Sequence, residues 1–138
     1  MLKKEVKVFC LQEINDARKA DALLNKAIAD FTAFKKGEFV SYFGRDAPIH
    51  HPKPAAELAG LMHLHILSKD KYKDLNVLRF RDRYGLTGDS FLIYTNGFLN
   101  PHYYCILDYL KTDAHTKIND LDYVRYLIDR AESFRSKL

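Results

Sequence analysis

The chain has 138 residues, 47% hydrophobic and 13% aromatic, which is enough apolar material for one domain with a real core and too much for general disorder. Its formal net charge is +4, a mild basic bias that suits nucleic acid or another acidic surface without singling out either. No stretch approaches the roughly 20 apolar residues that span a bilayer, and no apolar run of signal length follows the basic start. A soluble cytoplasmic protein with no membrane partner is expected.

Residues 6–11 alternate briefly and predict a first strand. Residues 16–36 predict one long helix, because Ala17, Ala20, Leu23, Leu24, Ala27, Ile28, Phe31 and Phe34 recur mostly at spacings of three and four. Asn15 or Asp16 can cap its start and Gly37 can end it. Its charged face, with Arg18, Lys19, Asp21, Lys26, Lys35 and Lys36, reads as solvated. The two cysteines, Cys10 and Cys105, form neither a disulfide framework nor a C-x-x-C site. Both fall in apolar runs, where buried free thiols are expected.

Residues 38–57 predict irregular chain, since Pro48, Pro52 and Pro54 interrupt regular elements. Within it, residues 43–47 read as a turn carrying an Arg45–Asp46 surface pair. His50 and His51 point opposite ways on extended backbone, so they cannot easily share a metal and read as surface residues. Residues 55–61 predict a short helical turn. Met62, Leu64 and Ile66 then alternate with His63 and His65, predicting a strand with both imidazoles on one face. An H-x-H strand can bind zinc, but no H-E-x-x-H or C-x-x-C motif supplies the remaining ligands. Two polar residues on the open face of a sheet, or groups that act as acid, base or phosphate donor, are the other readings.

Residues 68–76 predict a charged loop. The organising stretch is 77–111, read as three strands over 77–84, 91–95 and 103–110, rich in aromatic and β-branched residues. The first of them puts Leu78, Phe80 and Tyr84 on one face and Val77, Arg79, Arg81 and Arg83 on the other. Residues 85–88 break the block and Asn96-Gly97 is turn chemistry. A buried sheet with an arginine-lined edge or face is the central expectation. Asp120 can cap a last helix reaching about 136, with Leu121, Val124, Leu127, Ile128, Ala131 and Phe134 as its apolar stripe. The whole predicts an α+β fold: one domain over 1–138, its mostly antiparallel sheet packed by a long helix in the N-terminal half and by a C-terminal helix.

Five pieces, in order, resemble the YafO family of type II toxin–antitoxin toxins. They are F-G-R-D-A at 43–47, M-H-L-H at 62–65, L-I-Y at 92–94, L-K-T-D-A-H at 110–115 and A-E-S-F-R at 131–135. The resemblance spans roughly residues 30–138. It implies a compact RelE/ParE-like scaffold and an mRNA interferase that cleaves messenger RNA on the ribosome, held inactive by a cognate antitoxin. Two departures stand out. Thr112 occupies a position where the family has proline, and Leu86, Thr87, Gly88 and Asp89 intervene where the family has an arginine–threonine pair. Arg83 is the candidate for that arginine's role, from a shifted position.

RNA can be cut without metal when a base takes the 2′-OH proton, an acid protonates the leaving 5′-oxygen, and cations stabilise the phosphorane. His63, His65 and His115 suit proton transfer. Arg79, Arg81, Arg83 and Arg135 suit phosphate, and Tyr84 and Tyr94 suit base stacking or proton transfer. The expected catalytic set is His63, His65, Arg83, His115 and Tyr94. The expected RNA-binding set is Arg45, Arg79, Arg81, Lys111 and Arg135, with no cofactor or metal. Two alternatives stay open: a non-catalytic RNA- or ribosome-binding module using the same basic face, and a metal-dependent hydrolase built on His63 and His65.

Overall fold

The computed structural model describes residues 5–69 and 85–138. Strand β1 (Lys7–Cys10) leads into helices α1 (Gln12–Ala20) and α2 (Ala22–Lys35). The single long helix expected from periodicity is therefore two. Asp21 is the break: its backbone is extended (φ −128°, ψ 98°) and its carboxylate accepts from the Leu24 N–H at 3.1 Å, capping α2. A short polar side chain competes for backbone donors in this way and favours a cap over a helix interior. Asn15 and Asp16 lie inside α1 rather than capping it. Gly37, at φ 98°, ends α2 as expected, in a conformation that glycine tolerates without strain.

Strand β2 (Phe43–Pro48) replaces the irregular chain expected there. Among the described residues it is an edge strand, paired only with β3 (Met62–Ile66), and its register slips between Phe43 and Asp46. Pro48 closes it, where a missing N–H is tolerated. Gly44 is required by packing, because a Cβ there would collide with the Leu86 carbonyl. The Arg45 N–H donates to that same carbonyl at 2.8 Å. Helix α3 (Ala55–Leu58) precedes β3, and β4 (Phe91–Asn96) and β5 (Tyr103–Leu110) follow it. The sheet order is β1-β5-β4-β3-β2, with β1 parallel to β5 and the other pairs antiparallel. The expected strand at 77–84, with Arg79, Arg81, Arg83 and Tyr84, lies outside the described residues.

Both faces of this mixed sheet are covered. On one, Ile14, Leu24, Ile28 and Phe31 pack on Leu64, Leu92, Tyr94 and Ile106. On the other, α3 and α5 (Leu121–Lys137) pack on Phe91, Ile93, Cys105 and Leu107. Asp120 caps α5, accepting from Asp122 and Tyr123 N–H at 3.0 and 3.4 Å. Val124, Leu127, Ile128 and Ala131 are its buried stripe, whereas Leu121 is 48% exposed. Burying one such Leu or Ile contributes roughly 1.5–3 kcal/mol, which is why the helix lies where it does. Both cysteines are free; Cys105 is buried and its thiol is pushed up to about 12, while Cys10 is half-buried. Among the described residues no helix is long and apolar enough to cross a membrane.

Candidate functional site

The alternation of β3 puts His63 and His65 on the α5 side of the sheet, with Leu64 on the other side. Their rings are 5.1 Å apart. The open sheet face expected for them is closed at His65, which is only 1% exposed, while His63 is half-buried. Beneath them lies Phe91 of β4, whose ring centroid is 4.8 Å from His63 and 4.5 Å from His65. His115, in the short helix α4 (Ala114–Lys117), closes the group: 4.9 Å from Phe91 and 5.5 Å from His65. Three imidazoles from sequence-distant segments thus share one aromatic floor.

The chemistry of each ring follows from its partners. The Gly88 N–H donates to His65 Nδ1 at 3.0 Å, which places the proton of the neutral ring on Nε2. Burial, then the positive charges of His63, His115 and Arg45, push His65 down to about 4. Burial also lowers His63, opposed by a backbone hydrogen bond to Ala47 and by the Asp46 carboxylate. His63 Nδ1 and His65 Nε2 are buried and have no hydrogen-bond partner among the described residues. Such orphaned polar atoms are uncommon in a packed interior.

His115 is different. Its side chain is 56% exposed. Asp89 Oδ1 accepts from both its backbone N–H, at 3.0 Å, and its Nδ1, at 2.8 Å. These bonds fix the tautomer and leave Nε2 turned away from the carboxylate. The two hydrogen bonds from His115, backbone first, hold the Asp89 carboxyl below the usual range. Asp89 was not singled out in the sequence. Its only signal there is an acid two residues before a strand, and its pairing with a residue 26 positions away has no local signature.

The other expected residues are dispersed. Arg45, on β2, lies near enough to His63 and His65 for its charge to lower both. Tyr94 stands apart from the histidines, buried on the opposite face at 1% exposure. Its OH donates to Asp46 Oδ1 at 2.6 Å and accepts from Lys35 Nζ at 2.7 Å, and Lys35 also bonds Asp46 at 2.9 Å. Burial and the Asp46 carboxylate push the phenol far above its ordinary value. That environment suits a structural tyrosine and does not suit proton transfer. Asp46 therefore pairs with Lys35, not with Arg45 as expected. Lys111 Nζ sits 2.6 Å from Asp21. Arg135 lies at the far end of β4, beside Gly60 and Thr95, with its guanidinium 5.8 Å from the Phe98 ring. Arg79, Arg81 and Arg83 are outside the described residues. Among the described residues no three His, Cys, Asp or Glu side chains are grouped to hold a metal ion. His50 and His51 are exposed, as expected.

The α+β fold thus carries an imidazole cluster with an arginine beside it. The family model described as toxin YafO, type II toxin–antitoxin system, matches residues 32–136. The chain belongs to that family, and membership implies an antitoxin partner. No curated protein and no solved structure matches the chain. The matched span contains β2, the whole histidine cluster and nearly all of α5, and leaves out β1, α1 and most of α2.

Proposed function

We propose that residues 1–138 act as one toxin domain on a RelE/ParE-like scaffold, an mRNA interferase that cleaves translated messages on the ribosome in the cytoplasm. The convergence of His63, His65, His115 and Arg45 around Phe91 carries this reading. His115, oriented by Asp89, is the proton-transfer group that solvent and substrate can reach. His63 and His65 supply two further ring nitrogens, and Arg45 supplies cationic charge for the phosphorane. One imidazole removes the 2′-OH proton and the 2′-oxygen attacks phosphorus. The P–O5′ bond breaks, and a protonated imidazole delivers its proton to the 5′-oxygen. The products are a 2′,3′-cyclic phosphate and a 5′-hydroxyl. Dependence on the ribosome follows from size: a domain this small has little surface to recognise free RNA and also build a full site.

The test combines purified protein with one message, naked or under translation, with and without chelator. Efficient cutting of translated message, weak cutting of naked RNA and indifference to chelator are expected. A message carrying 2′-deoxy at the scissile position should resist cutting. Equal rates on naked and translated RNA would remove the ribosome from the reading. Loss of activity with chelator, or normal cutting of the deoxy substrate, would bring the metal hydrolase forward. The low basicity of His65 favours one other reading, a non-catalytic ribosome- or RNA-binding module. That reading requires growth arrest on induction with no cleavage of translated message.

A further inference from the structure

On the other side of the 88–90 segment from the histidines lies a cleft of about 880 Å³, within the size range of small-molecule sites. The two features share a wall. Gly88 bonds His65 and Asp89 bonds His115, and both residues also line the cleft. The 110–115 motif is divided in the same way: Lys111 and Thr112 line the cleft and His115 belongs to the cluster.

The lining is amphipathic in a particular manner. Ile66 and Leu67 give it an apolar floor, and Tyr109 adds a half-buried ring. Lys26, Lys69 and Lys111 stand around it against Asp89 and Asp113, and the Asp89 carboxylate already holds His115. Lys26 and Lys111 are largely exposed and pair with the less exposed carboxylates of Asp30 and Asp21; an ammonium has three donors, so one can turn to a phosphate while another keeps the carboxylate. An apolar floor, a ring and exposed ammonium groups match a planar base with a phosphate attached.

We propose that this cleft binds one nucleotide of the RNA strand, the one adjoining the phosphate cut at the histidine cluster. Its role in cleavage rests on the interferase reading, whereas nucleotide binding there does not. The cleft would then set which base is preferred beside the cut.

The test uses the full chain with the four nucleoside 3′-monophosphates, followed by backbone-amide NMR, and with a 2′-methoxy RNA hexamer, followed by fluorescence anisotropy. Thr112→Trp fills the cleft and Lys111→Glu reverses charge at its rim; both positions are exposed, and unchanged melting temperatures confirm folding. The mononucleotides should shift amides within 66–69, 88–90 and 109–113. Each substitution should weaken hexamer binding at least tenfold, while His115→Ala leaves it within about threefold and slows cleavage by ~10²-fold. Hexamer affinity unchanged in both cleft variants overturns the proposal, and cleavage of translated message by the wild-type chain shows that the interferase reading survives that failure. Cleft shifts from a chain that cuts nothing would uphold the nucleotide site and remove the nuclease. Shifts confined to residues outside the cleft, or a cleft that admits only an acidic peptide, overturn the proposal.

Discussion

Acid should weaken this fold through one residue. His65 is 1% exposed and held at about 4, against an ordinary 6.5. The unfolded chain therefore binds a proton at His65 before the native state does, and stability falls as pH drops from about 6.5 toward 4. One pKa unit corresponds to about 1.4 kcal/mol. The loss from this group alone is about 2 kcal/mol at pH 5 and about 3 kcal/mol at pH 4. His63 is lowered by burial too and adds in the same direction. Urea unfolding of the wild type and of His65→Gln, read by circular dichroism between pH 7 and pH 4, isolates the effect. Glutamine can still accept from Gly88, and every carboxylate common to both chains cancels in the difference. The wild type should lose about 2 kcal/mol more than the variant between pH 7 and pH 5. Parallel stability profiles would refute the reasoning, and so would an NMR titration placing His65 near 6.5. The same argument says that His65 is neutral at pH 7 in the free protein. Proton delivery to a leaving oxygen then falls to His115 unless bound phosphate raises the buried pair.

Replacing His115 with alanine should slow cleavage of translated message by ~10²-fold, the usual scale for losing a general acid or base. Asp89→Asn should keep the fold but slow cleavage, because the amide no longer holds the His115 ring through Nδ1 as the carboxylate does; an unchanged rate would make Asp89 a loop residue only. Tyr94→Phe should cost about 1–2 kcal/mol in urea unfolding, since it leaves Lys35 and Asp46 with fewer partners, yet it should not change the rate of cutting by folded protein. If the expected arginine face tracks phosphates, Arg81→Ala should lower the salt dependence of RNA binding by about one phosphate contact; an unchanged slope would leave Arg81 without one.

Elements with a clean period were legible. Met62, Leu64 and Ile66 alternate, and β3 is there. The stripe from Val124 to Ala131 recurs at helical spacing, and α5 buries it. Position 21 was not legible, because apolar periodicity runs straight through it while the carboxylate diverts the backbone. Strand β2 was hidden by its composition. Glycine and proline read as turn signals, but here they serve a close approach to Leu86 and an edge-strand terminus. Within the site, the shared face of His63 and His65 followed from period two alone. The burial of His65 did not, because it depends on Phe91, Gly88 and His115 of α4 meeting it from distant parts of the chain. The separation of Tyr94 from the histidines was also readable in principle: it lies three positions after Phe91 on one strand, hence on the other side.

Among the described residues the first strand is paired by the last. The strand beside β1 is β5, through residues 103–106, so this ladder waits until residue 106 has been synthesised, and His115 comes later still. Under the proposed activity, an incomplete nascent chain carries neither a finished sheet nor its third imidazole. The order of synthesis thereby delays the proposed toxicity until the segments carrying β5 and His115 have both left the ribosome. That delay gives a partner already present in the cell time to meet the product as it folds.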